Sequence, residues 1–316
     1  MSRQTMIGAL VAAVLTGISA PAQAQTAWKP DRPIQLIVGL QAGGGTDVTA
    51  RMVAQAAEGI IPVPVIVVNK PGAAGALAAE FVARAEPDGY TILVGGGSES
   101  TTLPHYTKSN YALSDFRGIA RVNREHMVLV TRNGSGLDNV EKLVQQAKAN
   151  PSKLSYGSSG HGGILQAGFQ ALETAAGIEL SHVPYRGGAH ALQSVLGGHL
   201  DMTFITPSEA RGQLEAGAIH ALATTSDRSS SIPDVPSLQE LGYKVNIENM
   251  KGLMIPAKTP DHIAAYLEES FRKVIQSERM KEIAQKSGFE VSYLDGPAFK
   301  AAMDETSQAV LGSKRD

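Results

Sequence analysis

Short apolar runs alternate with segments of helical periodicity along most of the chain. Ile34–Val38 is apolar and rich in β-branched residues, as buried strands are, and Thr46–Glu58 carries Val48, Met52 and Ala56 at helical spacing. The pattern predicts strands at Ile34–Val38, Val63–Asn69, Thr91–Gly95, Leu154–Gly157, Leu180–Pro184, Asp201–Ile205, His220–Thr225 and Lys251–Ile255, with Val122–Thr131 extended. It predicts helices at Thr46–Glu58, Gly75–Arg84, Leu137–Ala149, Gly163–Ala176, Ala189–Leu196, Ser208–Ala216 and Pro260–Gln276, several of them followed by glycine, a common stop signal.

Strands and helices that alternate in this way form βαβ units, which build parallel sheets covered by helices on both faces. Two such sheets are predicted, one from roughly residues 33–120 and the other from roughly 125–225. The segment after residue 225 contains a loop rich in Ser and Pro, then a strand and a long helix, and is expected to return to the first sheet. The predicted fold is therefore α/β with two lobes, a parallel-rich sheet in each lobe and a hinge between them.

The first 25 residues have the pattern of a secretory signal peptide. Arg3 supplies a positive charge, Met6–Ile18 is apolar, and Ala22-Gln23-Ala24 matches the small-x-small cleavage pattern, so cleavage is expected after Ala24. The apolar run is shorter than the about 20 residues that a membrane span needs, so no membrane insertion of the mature chain is expected. The mature protein is predicted to lie in the periplasm.

Composition narrows the possible chemistry. The 316 residues include 28 basic and 30 acidic residues without a basic stripe, which argues against nucleic-acid binding. The chain has no cysteine, which excludes thiolate nucleophiles and Cys-ligated zinc, and its histidines form no tight metal-binding motif. No cofactor, metal or nucleic-acid partner is therefore expected.

Four loops rich in glycine and serine follow predicted strands. They are Gln41–Asp47, Gly95–Ser100, Gly157–Gly163 and Pro184–Ala189. Ligands of open α/β sheets bind outside the carboxyl ends of the strands. Glycine lets a ligand approach the backbone, and the free N–H groups of the following helix favour anions. Each loop alone could be an ordinary turn, but four of them divided between both lobes predict an anion site in the cleft.

These loops do not match the nucleotide-binding motifs. Gly43–Thr46 does not extend to G-x-G-x-x-G, and the Gly-Lys-Ser/Thr of a P-loop is absent. The Gly-Ser-Ser-Gly stretch at 157–160 superficially resembles the nucleophile elbow of hydrolases but lacks the G-x-S-x-G pattern. An exported α/β hydrolase that uses Ser158 or Ser159 with a histidine stays open as the alternative function, because catalytic triads are recognised by geometry.

Charged and histidine side chains in or near the loops are further candidates. Arg186 could bind a carboxylate through two guanidinium donors, or it could brace its own loop. His161 falls in the third loop and His190 directly follows the fourth, whereas His182 lies in an apolar strand and is expected to be a core residue. Asp47 would repel a carboxylate, so it is expected to accept N–H groups at the helix start or to bind an amine of the ligand.

An ordered set of short motifs resembles one protein family. The motifs are Gly43-Gly44-Gly45-Thr46-Asp47, Asn69-Lys70-Pro71-Gly72-Ala73, Pro87-Asp88-Gly89-Tyr90-Thr91, Tyr156-Gly157-Ser158-Ser159-Gly160, Val183-Pro184-Tyr185-Arg186-Gly187-Gly188-Ala189 and Asp234-Val235-Pro236-Ser237. The set covers nearly the whole mature chain and resembles the Bug-type periplasmic substrate-binding proteins of the tripartite tricarboxylate transporter system. The resemblance implies a two-lobed periplasmic binding protein, not an enzyme, that closes about a hinge, captures a small carboxylate and delivers it to a membrane permease.

The resemblance also implies which residues contact the ligand. In the family, the Gly-Thr-Asp loop of the first lobe and the Ser-Ser-Gly and Tyr-Arg-Gly-Gly loops of the second hold carboxylate oxygens. The expected pocket residues are Gln41, Gly43, Gly44, Thr46, Asp47, Ser98, Ser158, Ser159, His161, Arg186, Gly187, Gly188 and Thr206. The chain departs from the family pattern at Leu40-Gln41-Ala42, Glu99, His161 and His190, which could determine the choice of ligand.

The expected domain limits follow from these assignments. Residues 1–24 form the signal peptide, residues 25–123 and 228–316 the first lobe, and residues 124–227 the second lobe. The mature receptor is expected to be a monomer whose partners are its carboxylate ligand and the membrane permease subunits.

Overall fold

The structure is a computed structural model that describes residues 28–226, 232–287 and 289–313. The predicted signal peptide and its cleavage site after Ala24 lie outside the described residues. Within these ranges the strands are β1 (Ile34–Val38), β2 (Val65–Asn69), β3 (Thr91–Gly95), β4 (Phe116–His126), β5 (Val128–Arg132), β6 (Ser155–Ser158), β7 (Ser181–Pro184), β8 (Met202–Ile205), β9 (Ile219–Thr224), β10 (Glu248–Pro256) and β11 (Val291–Asp295). The helices are α1 (Gly45–Ala57), α2 (Ala76–Ala83), α3 (Ser98–Thr101), α4 (Leu103–Tyr106), α5 (Val140–Ala149), α6 (Ile164–Ala176), α7 (Gly188–Leu196), α8 (Pro207–Glu215), α9 (Asp261–Ile275), α10 (Glu278–Ser287) and α11 (Gly296–Ser313).

The strands form two mixed sheets. The first has the order β11-β4-β10-β3-β1-β2 and the second has the order β7-β6-β8-β5-β9. Pairing is parallel between β1 and its neighbours β2 and β3, and between β6 and its neighbours β7 and β8. The remaining pairs, which involve β4, β5, β10 or β11, are antiparallel. The prediction of an α/β fold with a parallel-rich sheet in each lobe is confirmed.

The antiparallel pairs arise where the chain passes between the two sheets. The sequence pattern predicted one extended segment at Val122–Thr131, but the structure divides it between β4 in the first sheet and β5 in the second. Met127, which joins them, is fully buried. A strand that arrives from the other lobe has no helical crossover to orient it, so it is free to pair antiparallel with its neighbours.

The second passage between the sheets lies just before β10. Leu238, Val245 and Ile247 pack with the core of the second lobe, and the chain joins the first sheet only at Glu248. The side chains of residues 238–247 thus pack with the second lobe, although the expected limits assign this segment to the first. The expected lobe limits stay predictions.

Helix α11, which the sequence pattern did not predict, reaches both lobes. Its Phe299 and Met303 pack in a core cluster of the first lobe with Leu93 and Met254, whereas Val310 packs in the core of the second lobe. No helix in the described ranges combines the length and the hydropathy that crossing a membrane requires.

Candidate functional site

A cavity of about 240 Å³ lies between the two lobes. The loops after β1 and β3 line it from the first lobe, and the loops after β6, β7 and β8 line it from the second. These are the carboxyl ends of strands, where open α/β sheets place their ligands. Apolar side chains of Leu40, Val94, Ile164, Leu165 and Met250 form part of the wall.

The structure brings together ten of the thirteen expected site residues. The residues that line the cavity are Gln41, Gly43, Gly44, Thr46, Ser98, Ser159, Arg186, Gly187, Gly188 and Thr206. The unusual positions Leu40, Ala42, Glu99 and His190 also line it. Asp47, Ser158 and His161 are not part of this lining.

Two of the helices at the cavity begin without a side-chain cap. Helix α1 has Gly44 at its N-cap position and helix α7 has Gly187, and neither position provides a side chain to bond the first N–H groups. By helix geometry these first N–H groups have no partner inside the helix. The N-termini of α1 and α7 therefore present backbone donors to the cavity from opposite lobes.

Two further helix starts at the cavity, those of α6 and α8, are already capped. The Ser98 hydroxyl of the first lobe accepts a hydrogen bond of 2.9 Å from the Ile164 N–H at the start of α6. The Thr206 hydroxyl accepts one from the Glu209 N–H, and Glu209 bonds back to the Thr206 N–H, which forms a capping box at α8. Ser98 and Thr206, both predicted as ligand residues, thus also hold helix ends of the second lobe.

Asp47 stabilises the glycine loop. Its carboxylate, which is buried, accepts hydrogen bonds from the Gly43 N–H, from the Asn69 amide and from two nitrogens of Arg51. Burial by itself would raise the pKa of Asp47, but these hydrogen bonds and the Arg51 charge together lower the pKa below its ordinary value. The expectation from residue chemistry, that Asp47 accepts N–H groups at the helix start, matches this geometry, and its carboxylate lies outside the cavity lining.

Ser158 and His161 serve the second lobe in different ways. The Ser158 hydroxyl, fully buried, lies 2.6 Å from Nε2 of His182 and exchanges hydrogen bonds with the backbone of Gly160. The His182 ring stacks on Tyr156, and burial lowers the pKa of His182. His161 packs edge-on against the ring of Tyr106. It lines a depression next to the cavity, and the residues Gln41, Ser159 and Arg186 line both.

Arg186 lies at the junction of the cavity and this depression, and its side chain is exposed. Within the described ranges it has no ion pair or side-chain hydrogen bond. Its guanidinium is therefore available to an anionic ligand. The alternative, that Arg186 stabilises its own loop, has no contact to support it.

The sequence analysis missed a buried lysine at the cavity. Lys251, whose side chain is 2% exposed, forms an ion pair with Glu125 on the neighbouring strand. Its Nζ lies 3.2 Å from the position that a side-chain carbon on Gly45 would occupy, beside the N-terminus of α1. Burial lowers the pKa of Lys251, while the adjacent carboxylate favours its charged form. The available signal was a charged residue inside the apolar stretch Met250–Ile255, where a burial cost must be compensated.

Glu99 is a buried carboxyl at the cavity wall. Its Oε1 accepts hydrogen bonds from the N–H groups of Gly96 and Gly97 and from the Ser100 hydroxyl, at 2.9, 3.3 and 2.7 Å. Burial raises the pKa of Glu99, and these hydrogen bonds act in the opposite direction. In the described part of the chain, no cluster of histidine and carboxylate side chains could hold a metal ion.

Comparisons with known proteins point to one family. The family model described as the tripartite tricarboxylate transporter family receptor matches residues 49–310. The "UPF0065 protein in gbd 5'region" of Cupriavidus necator is 35% identical over 302 residues, which are 95% of this chain and 92% of that protein.

Solved structures agree with this match. A TctC solute-binding protein from Polaromonas has a TM-score of 0.72 and 30% identity, and the match covers 90% of this chain and 98% of that one. The periplasmic binding protein BugD has a TM-score of 0.80 and 29% identity, with coverages of 89% and 96%. The two sheets with a cavity between them therefore have the fold of two-lobed periplasmic binding proteins.

Proposed function

The chain belongs to the family of tripartite tricarboxylate transporter receptors, which are periplasmic solute-binding proteins, and from this premise we propose that it captures a small carboxylate between its lobes and delivers it to a membrane permease. The proposal includes export to the periplasm with cleavage after Ala24, a monomeric mature receptor, and lobes near the expected limits of 25–123 with 228–316 and 124–227.

The observation that carries the proposal is the pair of uncapped helix starts in one cavity. The N-termini of α1 and α7 come from opposite lobes, and both carry the partial positive charge that favours a carboxylate. Arg186 adds a full charge from the second lobe, and Lys251, which is paired with Glu125, adds an amine nitrogen from the first. A single ligand that bonds both lobes would favour the closed arrangement over an open one.

A thermal-shift screen against small carboxylates, followed by calorimetry, tests the proposal. Bound carboxylate is expected to raise the melting temperature, because a ligand that binds only the folded state stabilises it by mass action. Uncharged amides of the same acids serve as matched controls. Equal stabilisation by acids and amides would contradict a carboxylate site.

The hydrolase alternative has one supporting observation, the short contact between Ser158 and His182. Ser158 is fully buried and lies outside the cavity lining, so a substrate in the cavity would not reach its hydroxyl. We expect no ester hydrolysis by the purified protein. Turnover that is lost in Ser158→Ala or Ser159→Ala would overturn the receptor proposal in favour of the hydrolase.

A further inference from the structure

We propose that the carboxylate which this cavity takes also bears an amine, and that its ammonium group lies beside Gly97 between the side chains of Glu99 and Asn249 and the carbonyl of Met250. The inference rests on the function proposed above, because it assumes that a carboxylate occupies the same cavity. It assigns a chemical class, the amino carboxylates, to the ligand.

Three acceptor oxygens face the open side of Gly97. A side-chain carbon placed on Gly97 would lie 3.4 Å from Oδ1 of Asn249, 3.6 Å from Oε2 of Glu99 and 3.8 Å from the carbonyl oxygen of Met250. All four residues line the cavity. An ammonium group has three N–H donors and no acceptor, which matches a group of three acceptors.

Among these three acceptors, the carboxyl of Glu99 is the one that can carry a negative charge. Its Oε1 is held by three donors, so the carboxyl is fixed in orientation, and Oε2 is the oxygen that lies toward Gly97. A buried carboxylate is costly unless a cation or further donors compensate its charge. A ligand ammonium would supply both the charge and the donors.

The donors for the carboxylate lie on the same wall, a short distance away. Asn249 and Lys251 are two residues apart on β10 and therefore point to the same face, about 6.6 Å apart along the strand. Lys251 stands beside Gly45 at the start of α1, whereas Asn249 stands beside Gly97. The acceptor end and the donor end of the cavity are thus separated by a length that a small amino carboxylate can span.

The charges of the cavity lining favour a zwitterion over a dianion. The charged lining residues are two acids, Glu99 and Glu209, and two bases, Arg186 and Lys251, and the charge of Lys251 is already balanced by Glu125, which lies outside the lining. Like charges brought together in a desolvated site repel each other strongly. A dicarboxylate would bring a second negative charge into a lining without a net positive charge, while a zwitterion adds no net charge and can orient each pole toward its counterpart.

Isothermal titration calorimetry with matched compounds tests the inference. Glycine is compared with acetate, β-alanine with propionate, and 4-aminobutyrate with butyrate, since each pair differs only in the ammonium group. Succinate and glutarate represent the dicarboxylates. We expect at least one amino carboxylate to bind about ten- to hundredfold more tightly than its plain acid and than either dicarboxylate.

Two variants locate the ammonium. Glu99→Gln keeps one accepting oxygen and replaces Oε2 by an amide nitrogen, which is a donor. Amino carboxylates are therefore expected to lose their higher affinity relative to plain acids. Gly97→Ala places a methyl group in the proposed ammonium space at ordinary contact distances. Its melting temperature is measured first, because the backbone at Gly97, with φ −94° and ψ −139°, lies outside the usual β region. In Gly97→Ala, too, amino carboxylates are expected to lose their advantage in affinity over plain acids.

Glu282→Gln, which removes an exposed carboxylate from α10, is the matched control and is expected to bind as the wild type does.

The outcomes separate this inference from the proposed function. If plain acids or dicarboxylates bind as tightly as every amino carboxylate, the inference is wrong and the receptor function stands. It is also wrong if an amino carboxylate binds preferentially but Glu99→Gln and Gly97→Ala leave that preference unchanged. If no small carboxylate of any kind binds, the proposed function and the inference both fall.

Discussion

The Asp47 carboxylate fixes the loop before α1 through four hydrogen bonds, of which one comes from the backbone of Gly43. The loop can therefore expose its remaining N–H groups to a ligand without collapsing onto its own carbonyl groups. Asp47 thus fixes the backbone of the expected anion site, although its own carboxylate is not part of the cavity lining.

Asp47→Asn is expected to lower the free energy of unfolding by about 1–3 kcal/mol at neutral pH, because charge-assisted hydrogen bonds are lost. The folded protein lowers the pKa of Asp47 below its ordinary value of 3.8, so the stabilisation is fully present above that value. It is lost as the pH falls through the lower pKa of the folded state. The difference between variant and wild type, measured by urea denaturation, is therefore expected to shrink in acid.

Asp304→Asn is the control for the loss of a carboxylate, because Asp304 forms an exposed ion pair with Lys300 and such pairs contribute little. Equal effects of the two substitutions would contradict the role assigned to Asp47.

Arg186→Ala is expected to weaken carboxylate binding by about 1.5–3 kcal/mol, the usual scale of a charge-assisted hydrogen bond. The side chain is exposed and has no ion pair in the described ranges, so the folded state is expected to keep its stability. Calorimetry measures the affinity, and Arg211→Ala removes an exposed arginine of α8 as the control. An unchanged affinity would remove Arg186 from the binding site.

Helix α11 depends on strand and loop glycines of the first lobe for its position. A side-chain carbon would come within 2.7 Å of the Phe299 ring at Gly96, within 2.5 Å at Gly252 and within 3.2 Å at Gly118. Each of these glycines therefore leaves room for the buried ring of Phe299. One of them, Gly252, lies on β10 directly after Lys251.

Phe299→Ala is expected to lower the free energy of unfolding by about 3–5 kcal/mol, because the ring is fully buried and its loss leaves a cavity. Leu311→Ala, at a half-exposed position on the same helix, is expected to have a small effect. Denaturation curves of both variants provide the comparison. A small loss at Phe299 would show that the helix is not held by this contact.

The two lobes touch beside the cavity as well as at the connecting strands. Thr102 of the first lobe donates a hydrogen bond of 2.6 Å to the Gly162 carbonyl of the second, next to the bond between Ser98 and Ile164. If the lobes open and close about β4 and β10, these bonds belong to the closed arrangement, and a ligand that contacts both lobes shifts the population toward it.

Thr102→Val is expected to weaken ligand affinity severalfold without touching the ligand, because a smaller population of the closed state reduces the apparent affinity in proportion. Small-angle scattering is expected to show a decrease in the radius of gyration on ligand addition in the wild type. Thr131→Val, which removes a buried hydroxyl bond within the second lobe alone, is the control and is expected to retain the wild-type response. A radius that does not change with ligand would contradict hinge closure.

The local elements of the fold could be predicted from periodicity and glycine placement. The runs Ile34–Val38 and Thr46–Glu58 lie close to the observed β1 and α1, since their apolar spacing is a local property. The pattern could not divide Val122–Thr131 between two sheets, because the passage at Met127 has no turn signal. It also missed α10, β11 and α11.

The sequence by itself determined the α/β class, the family resemblance and the four glycine loops, because each depends on residue types at short spacing. Only the tertiary structure decided which helix starts at the cavity remain uncapped, since Ser98 and Thr206 occupy two of them. It also brought Lys251, Asn249 and Glu99 to one wall, from strands and loops far apart in the chain. Whether a polar group is bonded internally or faces a ligand depends on contacts between distant segments, which local spacing does not encode.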